Sequence, residues 1–205
     1  MSACRTAWAS RIAALCLALS GCIALPDPNA PREYLDPATA ATIEVVGKPL
    51  VFAREQPELA VHMRDYVTLA AAMVDRSGKI EYVLIAYFWT TLDAHGRSGA
   101  DAQRELAGLA EGPLTMLADG RLVELPLQTH SAAEAGIGAA VHEPANTHAE
   151  PTVYRVDLQT LRFLSAAREI VLIGNPAQPD SRYRIWDDGR RSLAAFVRHA
   201  NGQHE

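Results

Sequence analysis

The run Lys79-Ile-Glu-Tyr-Val-Leu-Ile-Ala-Tyr-Phe-Trp-Thr-Thr91 constrains the fold more than any other stretch. In an extended chain Ile80, Tyr82, Leu84, Ala86 and Phe88 point one way, and Val83, Ile85, Tyr87 and Trp89 the other. Both faces are apolar, so the run is read as a central strand covered on two sides. Its partner is Tyr66 to Val74, joined through Asp75-Arg-Ser-Gly78, where Gly78 supplies the positive φ that a tight hairpin needs. Ala70-Ala-Ala72 alone in that arm is equally compatible with helix.

A second hairpin is signalled by Asp119-Gly120 between Leu114–Leu117 and Leu122–Leu125. Thr42–Val46 and Leu50–Phe52 are short strands separated by a turn signal at Gly47-Lys48-Pro49. Short helices are expected from Gln56 to Arg64 and from Ala102 to Glu111. Thr129 to Thr152 has no period and reads as one long loop. The C-terminal third is better defined. Val153–Val156 is a strand, Asp157 caps a helix with Leu158, Leu161, Leu164 and Ala167 on one stripe, and Glu169–Ile173 and Arg182–Trp186 are strands. Leu193, Phe196, Val197 and Ala200 mark a closing helix. The expectation is a mainly β domain, antiparallel and β-sandwich-like, with two late helices. The alternative is an α+β single sheet with its helices on one face.

The N-terminus carries an address. Arg5 and Arg11 precede the apolar run Ile12–Leu19, which ends at Leu19-Ser20-Gly21-Cys22. The run is far shorter than the ~20 residues that span a bilayer as a helix. Leu19-Ser20-Gly21-Cys22 resembles the lipobox of bacterial lipoprotein precursors. That resemblance implies that residues 1–21 are a signal peptide and that Cys22 is the lipidated first residue of the mature chain. Ile23, in place of an aspartate, implies sorting to the outer membrane, with the domain in the periplasm. Two or more acyl chains would anchor stably, where one holds only marginally. The body, through Pro49-Leu-Val-Phe-Ala-Arg54, Asp75-Arg-Ser-Gly-Lys79 and Trp186-Asp-Asp-Gly-Arg190, resembles proteobacterial lipoproteins of unknown function, which supplies no activity to carry over.

Residues 22–41 hold Pro26, Pro28, Pro31 and Pro37 and are read as an extended tether with a reach of up to ~60 Å. A single globular domain is then expected over 42–201. Cys4 and Cys16 leave with the signal, so the mature chain has only Cys22 and no internal disulfide. Losing Arg5 and Arg11 takes the formal charge from −5 to −7, which argues against nucleic acid as a partner.

Chemistry is sparse. His130, His142 and His148 alternate with Glu134, Glu143 and Glu150 in the long loop, ligand types that suit zinc if they converge. His142-Glu143 opens like a zincin helix, but Asn146 stands where the second histidine belongs and Pro144 breaks the helix. Ser98 lacks the spacing of a nucleophile elbow, and Gly136-Ile-Gly138 lacks the third glycine of a dinucleotide loop. Asp187-Asp188 before Gly189 reads as a turn. Tyr82, Tyr87, Phe88, Trp89 and Trp186 could stack on a sugar or peptide, although aromatics in such apolar strands normally pack in a core. No catalytic, cofactor or metal residue is assigned. The reading is a non-enzymatic envelope protein, membrane-bound through Cys22, that binds a protein or glycan or serves assembly. A periplasmic hydrolase or metal-binding protein using loop 130–148 is the alternative.

Overall fold

The computed structural model describes residues 27–56, 63–91, 106–142, 144, 149–174 and 181–202. Cys22, Ser98, Glu143 and His148 lie outside them, as does most of the helix expected near 56–64, although Met63 and Arg64 already belong to a strand. The strands are β1 (Arg32–Asp36), β2 (Ala41–Val45), β3 (Leu50–Gln56), β4 (Met63–Arg76), β5 (Lys79–Thr90), β6 (Leu114–Ala118), β7 (Arg121–Leu125), β8 (Leu127–Thr129), β9 (Thr152–Arg155), β10 (Ile170–Ile173) and β11 (Arg182–Asp187). Helix α1 (Leu158–Ala166) lies between β9 and β10, and α2 (Arg190–Gly202) follows β11. Residues 106–110 are also helical.

The protein is mainly β, and its antiparallel strands form one eleven-stranded sheet. Its main path runs β7-β6-β10-β11-β3-β4-β5-β9-β8. The two ends of that path are neighbours in sequence, because only Pro126 separates β7 from β8. Proline has no N–H to give a ladder, yet its carbonyl accepts from the Arg155 amide at 3.0 Å. The chain thus crosses from one edge to the other, and the sheet nearly closes into a barrel. What the sequence suggests as two stacked layers are opposite walls of one sheet, and the two late helices are present.

Both hairpins form as their turn chemistry dictates. Ser77 and Gly78 (φ 55° and 88°) join β4 to β5, and Asp119 and Gly120 (φ 46° and 80°) join β6 to β7. The three alanines are strand, each paired across β5 with Leu84, Ile85 or Val83, so the tertiary ladder overrides their helical preference. Gly47-Lys48-Pro49 is not a reversal. Thr42–Val45 and Leu50–Gln56 lie in succession along the same edge of β4, with the register offset by two between them. The segment kinks once and keeps its direction.

The domain also begins earlier than position 42. β1 pairs with β2 over five residues, Arg32 opposite Val45 through Asp36 opposite Ala41. Residues 28–30 press onto the kink: a Cβ on Gly47 would meet the Ala30 and Pro28 carbonyl oxygens at 2.4 and 2.8 Å. Ser192 of α2 donates to Asn29 Oδ1 at 3.1 Å. The prolines punctuate docked chain, and the part of 22–41 from Asp27 onward belongs to the fold.

Phe52, Val67, Leu84, Tyr154, Met116 and Leu172 line one face of the sheet and are buried. Chain connectivity puts α1 and α2 at one end of the barrel, where β9 and β11 run into them and β10 leaves α1. Asp157 caps α1 by accepting the Thr160 amide at 2.6 Å. Leu161 and Leu164 of α1, with Leu193, Phe196 and Val197 of α2, complete the core.

Candidate functional site

Alternation on β11 puts Tyr183 against the core and turns Arg182, Arg184 and Trp186 outward. Between Ile185 and Asp187 the register against β3 shifts by one residue, so Trp186 is the extra residue of a bulge. It stays 56% exposed. On the same outer face, Tyr66 and Trp89 stand opposite each other on β4 and β5. Their rings stack with centroids 4.1 Å apart and planes 10° apart. Trp186 meets Tyr66 edge-on at 6.1 Å, and the Arg64 guanidinium lies 4.5 Å over the Trp186 ring. Trp89 Nε1 donates to Thr68 Oγ1 at 3.1 Å, which fixes its ring. Aromatic pairs in this geometry contribute about 0.5–1.5 kcal/mol beyond area burial. The result is a rigid aromatic shelf across β11, β3, β4 and β5, edged by arginines.

The other aromatics of β5 are structural. Tyr82 and Phe88 pack against the core from the inner face. Tyr87 faces outward but lies under the 131–141 segment, where its hydroxyl accepts from the Val141 amide at 3.1 Å. Sequence reasoning singled out Trp89 and Trp186 but missed Arg64, Tyr66, Arg182 and Arg184. The signal was available: two arginines alternating with Tyr183 and Ile185 mark a solvent face, and Trp186 shares their parity.

The described part of the histidine loop is held in place, and its two described histidines lie on different partners. From 131 to 142 it is bonded to the barrel. Asp36 accepts from the Gly138 and Ala38 amides at 2.5 and 2.9 Å and from Thr39 Oγ1 at 3.0 Å. These donors, Gly138 first, hold its pKa below the usual carboxylate range. Arg76 donates to the Ala135 carbonyl at 2.5 Å. His142 Nε2 lies 2.6 Å from the Val46 carbonyl and 3.1 Å from Arg32 Nη2, and burial lowers its pKa. His130 instead sits 3.7 Å from Glu111, and Glu134 is bonded to Thr129. A cleft of about 380 Å³ under this segment is bordered by Tyr87, His130, Ile137 and Glu150. Among the described residues no three of His, Cys, Asp or Glu gather as metal ligands. Asp187 and Asp188 serve different cations, Lys48 at 2.5 Å and Arg190 at 2.6 Å, as turn residues do.

Two buried carboxylates are held from within. Asp65 pairs with Arg54 at 2.9 Å on the inner face, and that guanidinium also donates to Ser181 Oγ at 3.2 Å and lies 5.0 Å over the Tyr183 ring. Glu44 of β2 is fully buried with Oε1 2.9 Å from His199 Nδ1 of α2. Burial, ahead of the lowering effect of His199, raises its pKa.

No protein-family model matches the chain, and neither a curated protein nor a solved structure is found to be similar to it. Among the described residues no helix is long and apolar enough to cross a membrane.

Proposed function

We propose that the chain is a lipid-anchored envelope protein that binds rather than transforms, and that the aromatic shelf is its binding surface. The anchor is Cys22, at the outer membrane with the domain on the periplasmic side. What supports it is the basic segment, the short apolar run and the small-small-cysteine triplet at the end of that run. The observation that carries the binding role is the exposure of Trp186 beside a stacked Tyr66–Trp89 pair on bonded strands. An indole left in water on a sheet face costs solvation and adds nothing to the core, whereas rigid aromatics lose little entropy when a ligand covers them. Asp27 is five positions beyond Cys22, so the described domain lies within ~18 Å of chain from the anchor. The shelf would therefore work close to the membrane.

The test is made in intact cells. Cys22→Ser should accumulate as unprocessed precursor in place of a membrane-bound mature form. A photo-cross-linking residue at position 186 should give a discrete adduct, whereas the same residue at Leu122, exposed on β7, should give none. Normal maturation of Cys22→Ser would refute the anchor. Equal cross-linking from both positions, or none from either, would refute the shelf.

A further inference from the structure

We propose that the Trp186 shelf takes an anionic sugar chain, one bearing carboxylate or phosphate groups. This names the ligand class of the surface proposed above and rests on that reading.

Charge is the first argument. The chain is acidic overall, at −5, yet Arg182 and Arg184 project from the outer face of β11 beside Trp186. Both are exposed, and neither has an ion-pair partner among the described residues. The described acid next along the strand, Asp187, is held by Lys48 at 2.5 Å. Among the described residues, then, two unpaired guanidinium forks face outward, and their planar donors suit carboxylate or phosphate oxygens bidentately.

Geometry is the second. Arg182, Arg184 and Trp186 follow one another along about 13 Å of strand, a row that fits an oligomer better than a single ring. The C–H face of a pyranose packs favourably on the electron-rich face of an indole. Arg64 lies over the Trp186 ring from one side, and the residue is still 56% exposed.

The mode of attachment is the third. β11 is bonded to β10 over Arg182–Arg184 and to β3 over Arg184–Asp187, so little of its ladder is left for an added peptide strand. An acidic peptide and a single-stranded nucleic acid are the competing ligands, and the test includes both.

The full-length mature protein in detergent is titrated, by tryptophan fluorescence and calorimetry, with a uronic-acid oligosaccharide, a phosphorylated oligosaccharide and their neutral counterpart. Poly-glutamate and a single-stranded oligonucleotide are the controls. An anionic oligosaccharide should bind at least about tenfold more tightly than the neutral one. Trp186→Ala should weaken it at least about tenfold. Arg182→Gln with Arg184→Gln should abolish the preference for the anionic form and flatten the salt dependence while leaving weak sugar binding. Equal affinity for neutral sugar, tighter binding of peptide or nucleic acid, or no binding of either anionic sugar would overturn the proposal. An adduct at position 186 in cells, combined with any of these results, leaves the shelf as the binding surface and removes only the ligand class. Absence of both removes the two together.

Discussion

Glu44 shows how a single residue can run against its element. Ala41, Ile43 and Val45 of β2 are buried as its pattern predicts, but so is Glu44, and its Oε2 meets no hydrogen-bond partner among the described residues. The groups around it are Glu33 on β1, Tyr82 on β5 and His199 on α2. Its folded pKa is raised, so its contribution to stability is fully present below the unfolded value near 4.3 and is lost as pH rises through the folded value. Glu44→Gln should thus gain on the parent as pH rises from 4 to 8. Urea unfolding at pH 4, 6 and 8 measures this, and a difference that does not change with pH contradicts it. None of this was legible beforehand, because a lone glutamate among β-branched residues reads as the solvent side of a strand. The exposure of Trp186 was legible from its parity with Arg182 and Arg184. The bulge that presents it was not, because it depends on pairing with β3.

At the scale of elements, what could be read was what is encoded locally. Ser77-Gly78 and Asp119-Gly120 specify their turns, Asp157 specifies a cap, and the stripes of α1 and α2 specify their buried faces. What could not be read depends on partners distant in sequence. Gly47-Lys48-Pro49 has the residues of a turn, but the fourteen-residue β4 offers one continuous edge, and β2 and β3 both use it. Pro49 falls in the kink, where no ladder bond is required of it. β1 has no alternation and is mostly exposed, so only its pairing with β2 identifies it. Gly47 is the point at which kink and N-terminal segment meet. Gly47→Ala drives a methyl into the Ala30 carbonyl and should cost about 1–3 kcal/mol. It should also raise amide exchange in β1. Unchanged unfolding midpoints and unchanged exchange at 32–36 would show that residues 28–30 do not bear on the kink.

For the molecule as a whole, closure follows from two strand-long detours. β2–β3 serves one edge of β4 in two pieces, and β7–β8 carries the chain from one edge of the sheet to the other across Pro126. The barrel is plugged at one end by the helices and braced outside by the 131–141 segment, which Asp36 and Arg76 hold. On the outer face of β11, beside β3 and β4, the only strongly exposed aromatic of the described residues, Trp186, is found. Of the histidines that drew notice in the sequence, the two described ones are separated by the same closure. His142 goes to the Val46 carbonyl just past β2, and His130 goes to Glu111. If ligand meets the protein on the shelf, backbone amide shifts recorded by NMR on the mature protein titrated with the anionic oligosaccharides will show it directly. Perturbations should be confined to residues 64–66, 89–90 and 182–187. Perturbations centred on 130–151, or none at saturating ligand, would contradict it.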